Sequence, residues 1–566
     1  MSSEYIYGFF YFVPLDVNAP KFFGFSEFLA ALALMVLAWT IADVRYQFRI
    51  RTAPINLEAI TFFVVGTVGF LTLLTDLWRA EQWLVPRGNI ISPAGWQAFL
   101  GWLFLQTFLM WAWFAFIRPP VYSKRNAGRF GKTLYQYILN GSPSELSVIS
   151  DELAKSAKHL IGYATNRDIA NNSTIMTDNE KLLPKPSMVT VIADDVLRLI
   201  ADKRFCRAII ESSSRTALKL FEEVSNSKKY GVQIDVFAKN IVSEALSNRD
   251  SFLYHETAGY ESGFMGYYKP FSNTIFSDYR MVESIGTLLD LDWKKKLDAA
   301  QWEAYYRVVL ITFQNYIDQE FWSHSFTLCR AFGYIKEAVS DLYGINGAQA
   351  GAGDNDIQAK LRIVVNFIND AIAVLEKKGV PEYLQLRVQK IDKTNTFYDH
   401  IARIIFEIIF AASAVKTPAE ESWGIQYVSI WSRLFILESG GNAAKVVNFK
   451  VRRLLYDEIA EMNRFPNFKG ARILSYCLNV MGFAIREKDY RPHSIALQKA
   501  VLSWTKKNFV WLHSYHPEIA EECLVDGITY DEKNQRLLKT YPVNALSRLP
   551  KYSYFNLNPL SHTNGG

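Results

Sequence analysis

GNIISPAGWQAFLGWLFLQTFLMWAWFAFI, residues 88–117, is a run of 30 residues without one Asp, Glu, Lys or Arg. Trp96 to Ile117 alone rises about 33 Å as a helix, enough to cross a hydrocarbon core of roughly 30 Å. A soluble buried helix is seldom so long and uncharged. Working back along the chain, Ala59 to Thr75 is uncharged between Glu58 and Asp76 and reaches span length with Leu57, Leu77 and Trp78. A first stretch, Phe28 to Ala42, is shorter, and a full span from Phe22 must carry Glu27 in its outer turns. The reading is three transmembrane helices over about 22–42, 57–78 and 96–117, within a membrane domain of residues 1–132.

Basic residues fix the expected orientation. Arg45, Arg49 and Arg51 follow the first stretch, and Arg118, Lys124, Arg125, Arg129 and Lys132 follow the third, whereas the other side carries Lys21, Arg79 and Arg87. The positive-inside rule then puts the amino terminus outside and the carboxy-terminal region in the cytoplasm, as in a bacterial inner-membrane protein. Trp78, Trp83, Trp96, Trp111 and Trp113 suit aromatic belts. The basic cluster Arg118, Lys124, Arg125, Arg129 and Lys132 is expected to meet lipid headgroups. No cleaved signal peptide is expected, because no basic segment precedes the aromatic run of residues 1–21.

The first 132 residues hold 11 Lys/Arg and 7 Asp/Glu of the chain's 62 and 56, so the remainder is nearly neutral at 51 and 49. That balance argues against a nucleic-acid surface, which needs a strong basic excess on one domain. Cys206, Cys329, Cys477 and Cys523 form no CxxC pair and read as reduced thiols, neither a disulfide framework nor a zinc site.

Beyond the anchor the pattern is helical almost throughout, giving an all-α fold: three amino-terminal transmembrane helices followed by a large cytosolic helical domain. Ser142, Pro143 and Glu145 open a helix carrying Leu146, Ile149, Leu153, Ala157 and Leu160 at helical spacing. The same device recurs at Thr417, Pro418 and Glu420. Trp302 to Ser340 reads as one helical stretch, Ile404 to Val415 as a core helix too short for a span, and Gly379 with Pro381 as a stop. No strand pattern of useful length is evident. Glycines in Asn346 to Asp356 mark a joint, dividing the rest into subdomains 133–345 and 357–539, with a proline-containing extended tail over 540–566 lying on a neighbour.

Chemistry-bearing patterns are weak. Gly128, Gly131, Lys132 and Thr133 imitate the end of a phosphate loop without its first glycine or preceding strand. His513, His516, Glu518, Glu521, Glu522 and Cys523 cluster in sequence but read as a helix start. Asp194, Asp195 and Asp202 read as a solvated face. Ser212, Ser213 and Ser214 before Arg215 read first as an N-cap, second as an anion site. No metal site, cofactor or catalytic residue is assigned.

The most unusual soluble stretch is Phe252 to Arg280, which holds nine Phe or Tyr residues with Gly259, Gly263, Gly266 and Pro270. His255, Glu256, Tyr260, Lys269, Asp278 and Arg280, joined by Arg215, are the candidate ligand-binding residues. Aromatic-rich loops more often close a core or an oligomer contact. In the second span, Thr61, Gly66, Thr67, Gly69, Thr72 and Thr75 suit close helix packing more than an ion path.

The layout, a short multi-span anchor before a larger helical domain, resembles that of many bacterial sensor or effector membrane proteins, including some acting in phage defence. The expectation is a homo-oligomeric membrane protein, more binder than enzyme, whose cytosolic domain senses a ligand or protein partner and signals to the membrane part. The alternatives are a membrane-tethered enzyme with its site at 252–280, or a channel.

Overall fold

The computed structural model describes residues 5–7, 10–15, 21–41, 43–86, 92–167, 186–257, 269–292, 295–320, 325–346, 355–379, 396–436, 441–485, 492–541 and 551–559. It is 74% helical with few strands, and divides into two compact units, residues 1–244 and 245–566. The division falls away from the glycine joint, whose residues 347–354 lie outside the described residues.

In the first unit, α1 (Phe25–Ile41), α2 (Val44–Arg51), α3 (Leu57–Ala80) and α4 (Pro93–Ala112, continued by a π-turn over Trp113–Ile117) form the apolar bundle. Among the described residues two helices, Leu57–Ala80 and Pro93–Ile117, are long and apolar enough to cross a membrane, or three if the bent pair α1 and α2 acts as one span. At 17 residues α1 falls short by itself, rising about 25 Å. Its Glu27 has a structural use. Glu27 accepts from the Gly24 amide at 3.0 Å and Asp76 of α3 from the Phe25 amide at 3.0 Å, so two carboxylates satisfy amides at a helix N-terminus that have no partner within the helix.

Leu57, Thr61, Val65, Val68, Gly69 and Thr72 make the inward face of α3. A β-carbon at Gly69 would lie 2.7 Å from the Phe28 ring, so only glycine admits this approach of α1. Gly66 and Thr67 of the same small-residue set turn outward. At one end of the bundle, β1 (Tyr5–Tyr7), β2 (Phe10–Pro14) and β3 (Leu84–Pro86) form an antiparallel sheet in which Val13 pairs with Val85. Such short strands have too few residues for a period-2 pattern to stand out.

The rest of the unit is α5 (Ala127–Asn140), α6 (Pro143–Tyr163), α7 (Met188–Leu199), α8 (Lys203–Ser212), α9 (Ser214–Ser227) and α10 (Asp235–Ser247), the last reaching past the boundary. The capping box expected at Ser142 and Glu145 forms, and Leu146, Ile149, Leu153, Ala157 and Leu160 are buried. The phosphate-loop imitation lies inside α5.

The second unit continues with α11 (Phe252–Thr257), α12 (Tyr279–Ile285), α13 (Ala299–Asp318), α14 (Phe326–Glu337), α15 (Asn355–Lys378), α16 (Phe397–Ser413) and α17 (Ala419–Trp423). A π-helix (Gly424–Ile436) follows, then α18 (Asn442–Glu461), α19 (Phe468–Met481), α20 (Pro492–Tyr515) and α21 (Pro517–Glu522). The stretch read as one helix over 302–340 is two, α13 and α14. Gly379, at φ +77°, ends α15 as the stop signal implies. The capping device at Thr417 does not form. Pro418 takes the N-cap position, and Asp526 accepts from the Ala419 amide at 3.0 Å instead.

The expectation of no strands is corrected here as well. Strands β4 (Ile528–Asp531), β5 (Arg536–Tyr541) and β6 (Lys551–Asn556) pair in that order, antiparallel, with Leu538 opposite both Thr529 and Tyr554. Thus residues 551–556, inside the segment read as an extended tail, form a strand of the chain's own sheet.

Candidate functional site

Of the expected site at 252–280, residues 258–268 lie outside the described residues, and the carboxylates of Glu256 and Asp278 hold backbone amides. Glu256 is buried, and its two carboxylate oxygens accept from the Phe271 and Ser272 amides at 3.3 and 2.9 Å. It caps the turn that opens a short π-helix at Ser272–Phe276. Burial pushes its carboxyl up, and these two hydrogen bonds and the Lys269 charge only partly oppose that. Asp278 caps α12 by accepting from the Met281 amide at 3.2 Å. His255 and Arg280 are exposed, and Phe252 stacks on Phe271 with ring centroids 4.1 Å apart. Tyr260 lies outside the described residues. Arg215 is exposed on α9 in the first unit, whereas His255, Glu256, Lys269, Asp278 and Arg280 belong to the second.

The neighbouring motifs are likewise occupied. Ser213 stands at the N-cap of α9 with no capping bond; its hydroxyl donates to Asp151. Asp194 accepts from the Thr165 amide and hydroxyl at 2.9 and 2.7 Å, and Asp202 caps α8 through the Phe205 amide at 3.0 Å. Glu522 pairs with Arg472 at 2.5 Å and Lys416 at 2.9 Å, while His513 packs on Tyr530. Of the lipid-facing candidates, Arg118, Lys124, Arg125 and Lys132 are exposed, and Arg129 donates to the Pro54 carbonyl at 2.6 Å.

Three arrangements emerge that the sequence did not announce. The first lies in the second unit, a cleft of about 520 Å³ between the loop before α13, α14 and the start of α15. Lys295, Lys296 and Lys360 contribute to its lining with Asp292, Glu337 and Asp341, and Trp302, Tyr334 and Tyr343 give it aromatic walls. Lys360 bridges Asp356 at 2.8 Å and Asp341 at 3.5 Å. Burial would lower the Lys360 ammonium, but the two carboxylates outweigh it and hold it above its usual range. The other carboxylate oxygen of Asp341, Oδ1, is buried with no hydrogen-bond partner among the described residues. Such an acceptor suits a ligand carrying N–H or O–H groups.

The second is a junction in the first unit. Glu152 of α6 takes a bidentate pair from Arg49 of α2, Nε at 3.0 Å and Nη2 at 2.8 Å. The remaining Arg49 nitrogen donates to the Ala115 carbonyl at 2.6 Å, inside the π-turn that ends α4. Lys155 also reaches Glu152, at 2.7 Å. Burial alone would raise the Glu152 carboxyl, but hydrogen bonds from Arg49 and Lys155 overcome it and hold it below the usual range. One guanidinium therefore ties the end of the apolar helix α4 to α6.

The third is a dyad in which Cys329 Sγ lies 3.2 Å from His400 Nε2. Burial, helped by Glu283, pushes this thiol up to about 12, which keeps it protonated at neutral pH and weak as a nucleophile. Spacing in sequence, 71 residues, gave no hint of it. Comparison of the chain with protein-family models, with curated proteins and with solved structures returns no match.

Proposed function

We propose that this is a membrane-anchored sensor of the bacterial inner membrane, with its carboxy-terminal region cytoplasmic, whose second unit binds a small ligand and whose membrane part responds as a homo-oligomer. The observation that carries the reading is the mixed-charge cleft containing the unpartnered Asp341 oxygen. Three features define the ligand class: donors for Asp341, an anionic group for Lys295 and Lys296, and a flat ring for Trp302, Tyr334 and Tyr343. The Arg49–Glu152 tie supports signalling, because a movement of α6 is transmitted to the end of α4 through a buried charged contact.

Nucleoside phosphates carry all three features and are the probe. Full-length protein in detergent is titrated with them while thermal unfolding is followed. A saturable rise in melting temperature that Lys296→Glu and Asp341→Asn both abolish supports the cleft. No rise, or an equal rise in the variants, refutes it. Turnover of the probe would select the membrane-tethered enzyme instead.

A further inference from the structure

A second cavity, of about 330 Å³, opens at the basic end of the bundle, lined from α1, α2, α3 and α4. Ile50, Leu57 and Trp111 form an apolar wall, and Phe62, 82% exposed, leads out over the apolar surface. Two residues lining it hold buried polar atoms with no hydrogen-bond partner among the described residues, the Trp39 indole nitrogen and the Thr61 hydroxyl. Thr61 is only 1% exposed. The other buried span threonines behave differently: Thr72 and Thr107 donate to the carbonyls four residues back, at 2.9 and 2.8 Å. An unpaired buried donor is costly, so a group that accepts from both is expected there. At the mouth, Arg51 and Glu58 stand 3.4 Å apart and half-exposed, one charge of each sign.

We propose that this cavity holds the headgroup and glycerol of one aminophospholipid from the surrounding leaflet, a site that rests on the bundle lying in a bilayer. The phosphate meets Arg51 and the primary ammonium meets Glu58. Ester carbonyls accept from Trp39 Nε1 and the Thr61 hydroxyl, and the acyl chains leave past Phe62. A purely anionic headgroup would face Glu58 with no cation to offset it, and a quaternary ammonium offers Glu58 no N–H.

The test is native mass spectrometry of full-length protein purified from nanodiscs containing equal amounts of phosphatidylethanolamine, phosphatidylglycerol and phosphatidylcholine with the same acyl chains. One retained phosphatidylethanolamine per chain is expected. Thr61→Val, which keeps the shape and removes the hydroxyl, and Glu58→Gln at the surface should each cut its occupancy roughly five- to tenfold. Phosphatidylglycerol or phosphatidylcholine retained equally well, no retained lipid, or unchanged retention in both variants would overturn the assignment. Failure of the bilayer reading looks different, since the wild-type protein would then stay soluble without detergent.

Discussion

Replacing Glu152 by Gln should be among the most damaging single changes in the first unit. The side chains of Arg49 and Glu152 are 9% and 3% exposed, and two charge-assisted hydrogen bonds join them. Glutamine keeps the shape but removes the negative charge, leaving a buried guanidinium without its counter-ion. Breaking a buried pair in this way costs about 3–5 kcal/mol. For a unit of this size that lowers the melting temperature by on the order of 10 °C. Arg49→Met should cost less, because Glu152 keeps Lys155 at 2.7 Å and Arg45 at 3.6 Å. The double variant should fall short of the summed losses by about 1–3 kcal/mol. The assay is tryptophan-monitored unfolding of full-length protein in detergent, with hydrogen exchange read at residues 44–52 and 113–118. The Glu152 carboxyl is held below its usual value of 4.5, so its contribution is complete above that pH and fades as pH falls through the lowered folded value. A Glu152→Gln protein melting within about 1 °C of wild type at neutral pH would refute the reasoning.

Lys539 is 4% exposed and donates to the Asn479 carbonyl, and burial lowers its ammonium to about 7. Between that pH and the usual 10.5 the unfolded lysine holds a proton that the folded one has released. Stability of the second unit should therefore rise with pH across this window, by up to about 5 kcal/mol, and Lys539→Met should flatten the rise in a pH series of unfolding curves. An unchanged slope in the variant would contradict the burial argument. Gly69→Val drives a branched side chain into the Phe28 ring, where even a β-carbon would sit 2.7 Å away. It should cost about 1–3 kcal/mol and loosen α1 from α3, read as faster labelling of a cysteine placed at buried Met35 of α1, which leaves the Phe28 ring in place. Cys329, its thiol pushed up to about 12, should react with iodoacetamide at pH 7.5 at least about a hundredfold more slowly than a free cysteine. Rapid alkylation there would instead mark an activated Cys329–His400 pair.

Much of the helical architecture was legible because its signals are local. The uncharged runs ending at Thr75 and Ile117 became α3 and α4, and the capping box at Ser142 opened α6. The carboxy-terminal sheet was hidden because Lys539 occupies an inward position of β5 beside Leu537, which breaks the apolar alternation that marks a strand. Thr417–Pro418–Glu420 misled because a capping sequence competes with tertiary partners, here Asp526 at the Ala419 amide. At the expected site, Glu256 and Asp278 looked chemical in sequence, yet both carboxylates accept from backbone amides at helix starts. The cleft, the Arg49–Glu152 tie and the Cys329–His400 dyad each join residues far apart in the chain, so no spacing rule applies to them.

In the proposed topology α3 and α4 cross a bilayer in opposite directions. Single cysteines replacing exposed Glu81, just past α3, and exposed Lys124, just past α4, test this in cells treated with a membrane-impermeant maleimide. Glu81→Cys should label in intact cells once the outer membrane is permeabilised, and Lys124→Cys only after lysis. Labelling of both before lysis, or of neither until lysis, would contradict it.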